Sequence, residues 1–362
     1  MKELRAVNQL EWLDIEEISM KVIKVRNVNE ALSSGIELIR SEGSLIPSRG
    51  GPTLEIPEPV ATVYEKPWER VLISKVRDAN PFFHLMEAIW ILGGRKDVKF
   101  LAEFNKRMAE YSDNGQSFNA PYGYRLRSYF LDSGNCNIDQ LDEIVSMLKR
   151  DPASRQAVAQ IWDTMDIDKS TKDKACNMSL VFRIRNGKLD ITVYNRSNDM
   201  VWGAYGANVV QFSMIQEYIA AKLGIKIGTY TQVSNSFHVY LEGPGGDLWN
   251  KLLEKYEYNS TRTYDLVNTR IHMGYRDIDD IDHDIRQLFN IYDEHGLREV
   301  SETTYWKSSY FNNLVIPMLS VYVLHKEQGP SQAFKYLHTI EADDWRLACN
   351  LWLLNRIEAR KS

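Results

Sequence analysis

CNMSLVFRIRNGKLDITVY, residues 176–194, decides the fold class of this chain. Val181, Phe182 and Ile184 precede Asn186-Gly187, and Leu189, Ile191 and Val193 follow it. Near-alternation on both sides of the pair favoured by two-residue turns predicts a β-hairpin. Cys176 opens its first strand and Arg196 follows its second, so pairing brings the two ends together. A neighbouring cation favours thiolate over thiol. Arg-Ser-Asn-Asp at 196–199 adds a guanidinium, a hydroxyl and a carboxylate within four positions. The first two are directed donors that suit a phosphate.

Upstream, LDEIVSMLKR (141–150) has helical spacing and QAVAQIWDT (156–164) predicts a short strand, which puts Arg155 at a helix-to-strand junction. The charged DIDKSTKDK (166–174) predicts a loop. Asn80 and Pro81 are suited to cap and open a helix through FFHLMEAIWILGG (82–94), so apolar that Glu87 should lie against the core. Such a carboxylate is either salt-bridged or poised to hold a proton in a cleft. Leu72 and Ile73 suggest a short strand, EALSSGIELIR (30–40) a helix, and SLIPSRGGPT (44–53) a sharp turn holding Arg49, as a surface residue or an anion contact. QSFNAPYGYRLRSYF (116–130) reads as a turn into a helix.

Downstream, NVVQFSMIQEYIAAKLG (208–224) predicts a helix stopped by Gly224. TQVSNSFHVYL (231–241) predicts a strand whose period of two sets His238 and Tyr240 on one face, as a satisfied core pair or a binding pair. Beyond Leu241 the chain is mostly helical, broken at GPGG (243–246) and at Gly329-Pro330. DIDDIDHDIR (277–286) lacks a calcium-loop pattern and reads as one solvated face, so no metal is expected.

The 362 residues, 44% of them hydrophobic, can bury a full core as one large domain or two smaller ones. With 44 basic and 49 acidic residues the net charge is -5, which gives no broad attraction for nucleic acid or anionic membrane. A nucleotide monomer stays possible, since one phosphate needs only a local arginine cluster. Cys136, Cys176 and Cys349 are odd in number and far apart, as in neither a disulfide framework nor a zinc site. The first 19 residues show no secretory pattern, and no apolar run is long enough to cross a bilayer. These features predict a cytoplasmic protein, or one of the host cytoplasm if viral. Protease-like chemistry between Cys176 and a histidine competes for the cysteine, but no protease signature surrounds it.

SRQAVAQIWD (154–163), the cysteine-led hairpin ending in YNRSNDMVWG (194–203), the helix from Asn208 and SFHVY (236–240) resemble, in order, core motifs of the thymidylate synthase and pyrimidine nucleotide hydroxymethylase family. ILGG after Glu87 and APYG (120–123) resemble its earlier motifs. The likeness spans about residues 45–241; the helical remainder, 242–362, carries no assignable motif. It implies an α/β (α+β) fold, one domain over 1–362 with a large, bent, mostly antiparallel sheet flanked by helices, and a homodimer joined through sheet faces.

The resemblance also implies roles. Cys176 matches the nucleophile, Glu87 the carboxylate that organises protons and water, and Tyr122 a residue beside that network. Asn177 joins these catalytic positions, where a synthase has histidine. Arg49, Arg196 and Ser197 match phosphate ligands, and Arg155 one donated by the opposite subunit. His238 and Tyr240 match residues on the sugar hydroxyl, Asn208 the reader of the pyrimidine edge (given one inserted residue after Gly203), and Asp199 a residue on the folate side. The expected substrates are a pyrimidine nucleoside monophosphate, dUMP before dCMP, and 5,10-methylenetetrahydrofolate.

In that chemistry thiolate adds to C6, C5 takes up the one-carbon unit, and an exocyclic methylene results. A synthase reduces it to methyl, whereas a hydroxymethylase adds water. Arg-Ser-Asn-Asp with VWG, SFHVY, and Asn177 after Cys176 resemble the hydroxymethylase branch. Gln156 stands where a second phosphate arginine is usual, leaving one fewer charge, and an ending NRIEARKS without an apolar closing tail weakens the methyl-forming assignment. Thymidylate synthase is the alternative, and a noncatalytic nucleotide- or RNA-binding homologue a more distant one.

Overall fold

The computed structural model describes residues 19–255, 262 and 264–361. The stretch inspected for a leader lies outside them except for its last residue.

In chain order the described elements are β1 (Lys21–Val25), α1 (Val28–Glu42), β2 (Ser44–Ser48), β3 (Gly51–Ile56), β4 (Val60–Tyr64), α2 (Pro81–Leu92), α3 (Val98–Phe104), the single turn α4 (Tyr122–Tyr124) and α5 (Gln140–Arg150). There follow β5 (Val158–Gln160), β6 (Asn177–Arg185), β7 (Lys188–Asn195), β8 (Asn198–Asp199), α6 (Asn208–Leu223), β9 (Lys226–Ser234) and β10 (Phe237–Tyr240). The rest is helical: α7 (Gly243–Lys255), α8 (Ile278–His295), α9 (Leu297–Glu302), α10 (Ile316–Gln328), α11 (Pro330–Phe334) and α12 (Asp343–Ala359).

The hairpin forms as its sequence requires. Phe182 pairs with Ile191 and Arg185 with Lys188, around Asn186 and Gly187 at φ of 52° and 70°. Leu180, Phe182, Leu189, Ile191 and Val193 are buried. They face α6, whose buried Gln216 donates to the carbonyls of Leu189 and Thr229 and ties helix to sheet.

The α/β fold is as expected, with the strands divided between two sheets. One has the order β1-β4-β9-β7-β6-β5 and the other β2-β3-β10-β8. Five of the eight pairings are antiparallel, and β1–β4, β7–β9 and β8–β10 are parallel. The expected turn at 44–53 is a complete hairpin, β2–β3, with Arg49 at its tip.

Two expectations fail for local reasons. Leu72 and Ile73 are buried but form no strand. The side chain of Asn29 takes the place of a ladder, its Oδ1 accepting from Ile73 N at 2.8 Å and its Nδ2 donating to Val71 O at 3.1 Å. GPGG does not break a helix but opens α7. Proline is tolerated in a first turn, and a Cβ at Gly246 would lie 2.2 Å from Leu241 O.

Every residue of α2 is buried. Asn80 caps it by accepting from Phe83 N, and Pro81 occupies its first turn. The carboxyl-terminal helices surround it: Phe82 meets Tyr322 of α10 and Trp352 of α12, and Phe100 of α3 meets Phe289 and Tyr292 of α8. In α8, Ile278, Ile281 and Ile285 point inward. Its buried Asp284 accepts from Lys307 N, Ser308 N and Ser308 Oγ. Among the described residues no helix is long and apolar enough to cross a membrane, and no cluster of His, Cys, Asp or Glu is arranged to hold a metal.

Candidate active site

The site begins where the hairpin closes. Arg196 N donates to Cys176 O at 3.0 Å, continuing the pairing beyond β6 and β7. The Arg196 guanidinium folds back over this junction. Its Nε donates to Ala175 O at 2.9 Å and its Nη2 to Lys174 O at 3.0 Å, while Nη2 lies 3.8 Å from Cys176 Sγ. Arg49, at the tip of β2–β3, adds a second positive charge that acts on both Cys176 and Tyr240. Gly50 beside it is required: a Cβ there would meet the Tyr240 ring at 2.8 Å.

The cation was expected to favour thiolate, and it does oppose burial. Burial is nevertheless the larger effect and raises the thiol above its ordinary range, with Asp173 adding to the rise and Arg196 and Arg49 working against it.

Glu87 sits in the middle of α2, 8% exposed. Among the described residues no cation bridges it; Gln211 Nε2 of α6 donates to its Oε2 at 2.7 Å. Burial pushes its carboxyl up to about 7, and the Gln211 bond only partly opposes this. Of the two readings open for Glu87, a salt bridge is not what holds it among the described residues. Tyr122 stacks on Phe212 at 6.0 Å, and its buried phenol is pushed up by loss of solvent and by the charges of Cys176, Asp173 and Glu87. It faces the buried amide of Asn177, which works against that rise.

Asn208 is held by a relay of side chains. Asn208 Nδ2 donates to Asn198 Oδ1 at 3.1 Å, and Asn198 Nδ2 donates to Ser234 Oγ at 3.0 Å. With these assignments the Asn208 oxygen and one N–H remain for a ligand. Met200–Ala207 winds more widely than an α-helix, with Tyr205 and Gly206 at non-helical angles.

His238 and Tyr240 share one face of β10, their rings 5.3 Å apart, and Ser236 Oγ lies 3.1 Å from His238 Nδ1. Asp199 pairs in register with His238 and accepts from Val201 N and Trp202 N at 2.9 and 2.6 Å. Burial raises the Asp199 carboxyl, while those two N–H groups, His238 and Arg77 restrain it.

Glu87, Tyr122, Asn208, Asp199 and Tyr240 line a cleft of two lobes, whose lining does not include Cys176, Arg49, Arg196, Ser197 or His238. A lobe of about 260 Å³ is lined by Glu87, Tyr122, Asp173, Asn208 and Gln211. One of about 840 Å³ is lined by Arg77, His84, Asp199, Tyr240, Trp352 and Arg356, among others. Glu87, Met108, Tyr111, Trp202 and Ala207 border both. The larger lobe offers a carboxylate, aromatic rims and guanidinium groups, a donor set that fits a folate. Arg77 there is buried, held by Val201 O at 3.0 Å and stacked over Trp202 at 4.5 Å, and burial lowers it to about 10.

Ser197 is half-buried beside Arg196. Arg155 is exposed between α5 and β5 and lines neither lobe. Reading the sequence missed Gln211, Asn198 and His84. Gln211 follows Asn208, and His84 precedes Glu87, by three residues on one helix, a spacing that would have placed them on the same faces.

The family model described as thymidylate synthase matches residues 73–295. A protein of Pseudomonas phage M6 named deoxyuridylate hydroxymethyltransferase is 39% identical over 95% of this chain and 97% of its own length. One of the same name from Bacillus phage SP01 is 44% identical over 62% of this chain and 60% of its own length. A putative thymidylate synthase of Methanosarcina barkeri is 30% identical over 61% of this chain and 89% of its own. With the match covering most of the described core, the hairpin, Glu87 and the helix from Asn208 included, the chain belongs to the thymidylate synthase family.

Proposed function

We propose that this protein is a one-carbon transferase that hydroxymethylates C5 of dUMP, with 5,10-methylenetetrahydrofolate as cosubstrate. The observation that carries this reading is the end-to-end similarity to a phage protein named for that reaction. The two-lobed cleft supports it, since Glu87 borders both the lobe containing Asn208 and the lobe containing Asp199.

In this reading Arg49, Arg196 and Ser197 bind the phosphate, and His238 and Tyr240 bind the sugar hydroxyl. The Asn208 oxygen accepts from uracil N3–H while its free N–H donates to O4, which favours dUMP over dCMP. Cys176 loses its proton as the phosphate and base fill the site and adds to C6. Asn177 and Tyr122 order the polar network beside the ring, Glu87 moves protons, and Asp199 orients the folate.

The proposal extends to assembly. The face of the larger sheet turned away from α6 carries Val158, 47% exposed, and Tyr194, 40% exposed. A second copy of the chain covers this face, and Arg155, beside β5, enters the partner's phosphate site. In this reading the chain acts as a single domain in the cytoplasm of a host cell.

The test is to present dUMP and dCMP separately with methylenetetrahydrofolate and to weigh the products. A gain of CH2O on dUMP with release of tetrahydrofolate is expected. A gain of CH2 with dihydrofolate would mean a thymidylate synthase.

A further inference from the structure

α2 carries only two side chains besides tryptophan with polar atoms, His84 and Glu87, in PFFHLMEAIWIL. They lie three residues apart on one helical face, and both line the larger lobe of the cleft. His84 is 7% exposed. Its backbone N–H bonds to Asn80 O, but its imidazole has no hydrogen-bond partner among the described residues. Neither ring nitrogen is sealed from solvent, so the imidazole opens on the cleft with its hydrogen-bonding groups available to a small polar ligand.

Burial and the Arg77 guanidinium lower the His84 imidazole to about 3, so the ring is neutral. A neutral imidazole offers one N–H donor and one bare nitrogen acceptor, which can orient a water but not store its proton. Glu87, at about 7, can take that proton.

We infer that His84 is a positioning residue: it holds, one helical turn from Glu87, the water that adds to the exocyclic methylene of the nucleotide. This rests on the hydroxymethyl-forming reading above. The step balances without oxidant or reductant. The water oxygen bonds to the methylene carbon, one water proton passes to the Glu87 carboxylate, and the alkene electron pair moves onto the C4–O4 enolate. Collapse of the enolate restores the C5–C6 double bond and expels the Cys176 thiolate.

The test is competition for the methylene. 2-Mercaptoethanol, which needs no held water, is added to the reaction, and hydroxymethyl and thioether products are quantified with tritium release from C5. In His84→Phe the hydroxymethyl-to-thioether ratio is expected to fall about tenfold or more, while tritium release falls far less. His84→Gln, which keeps a donor and an acceptor, should return the ratio to within about threefold of wild type. If His84→Phe does not fold, His84→Leu carries the same comparison. An unchanged ratio in the apolar variant, with wild type still making hydroxymethyl product, overturns the role of His84 alone. Methyl product from wild type overturns the hydroxymethylase reading and this inference with it.

Discussion

Arg196 Nη2 lies 3.8 Å from Cys176 Sγ while the same guanidinium is fixed to the carbonyls of Lys174 and Ala175. One side chain thus braces the end of the hairpin, opposes the burial that raises the thiol, and presents positive charge beside the sulfur. Replacing it separates these effects. In Arg196→Ala the thiol should rise further, so alkylation of Cys176 by iodoacetamide at pH 8 slows several-fold, by about a factor of ten. KM for the nucleotide should rise by about tenfold to a hundredfold with the loss of a charged phosphate contact. An unchanged alkylation rate would show that Arg196 does not set the reactivity of the thiol.

Glu87 gives a prediction about stability whose sign follows from its surroundings. Its folded carboxyl titrates at about 7 against an ordinary value of 4.5. Between those values the folded protein holds the proton that the unfolded chain has lost, so this group lowers stability as pH rises through the window, by up to about 3 kcal/mol. Glu87→Gln removes the penalty and keeps an acceptor for Gln211. The variant should lose one-carbon transfer yet melt at a higher temperature than wild type at pH 8, with no such gain at pH 4.5. Melting curves at the two pH values decide it.

What the sequence disclosed of this site depended on range. The hairpin, the meeting of Cys176 with Arg196 and the face shared by His238 and Tyr240 follow from alternation and one Asn-Gly pair, all local. The burial of Glu87 was legible because α2 is apolar around its whole circumference. Its partner was not, because Gln211 reaches it only through the packing of α2 against α6. The division into two sheets depends on distant pairings such as Lys21 with Val60 and Phe237 with Asn198, which no local pattern encodes. Leu72 and Ile73 looked like a strand because apolar runs do not reveal that a distant asparagine, Asn29, will satisfy their backbone.

Asn208 should set the choice of base. Its amide is oriented by Asn198, which is itself held by Ser234. In Asn208→Asp the carboxylate has no donor for uracil O4 but can accept from the amino group of cytosine. The kcat/KM ranking of dUMP over dCMP should reverse, with dUMP turnover falling by about a hundredfold or more as a site built around a hydrogen bond meets the wrong partner. Gly203→Ala should lower activity on both bases, since its Cβ would lie 2.8 Å from Asn198 Oδ1 and 3.4 Å from Asn208 Nδ2. Preserved ranking in Asn208→Asp would place base selection elsewhere in the cleft.

Arg155 tests the assembly. It is exposed, so its replacement by alanine should leave the fold intact while removing, in the proposed dimer, a phosphate contact from the partner's site. Cys176→Ser and Arg155→Ala homodimers should each be nearly inactive. After the two are unfolded together and refolded, half of the dimers are mixed, and each mixed dimer holds one site with both a native Cys176 and a native Arg155. Activity should return to about a quarter of wild type, the share fixed by random pairing in a two-fold dimer. If the mixture stays as inactive as its parents although mixed dimers form, Arg155 does not cross the interface, and the phosphate is held by one chain alone.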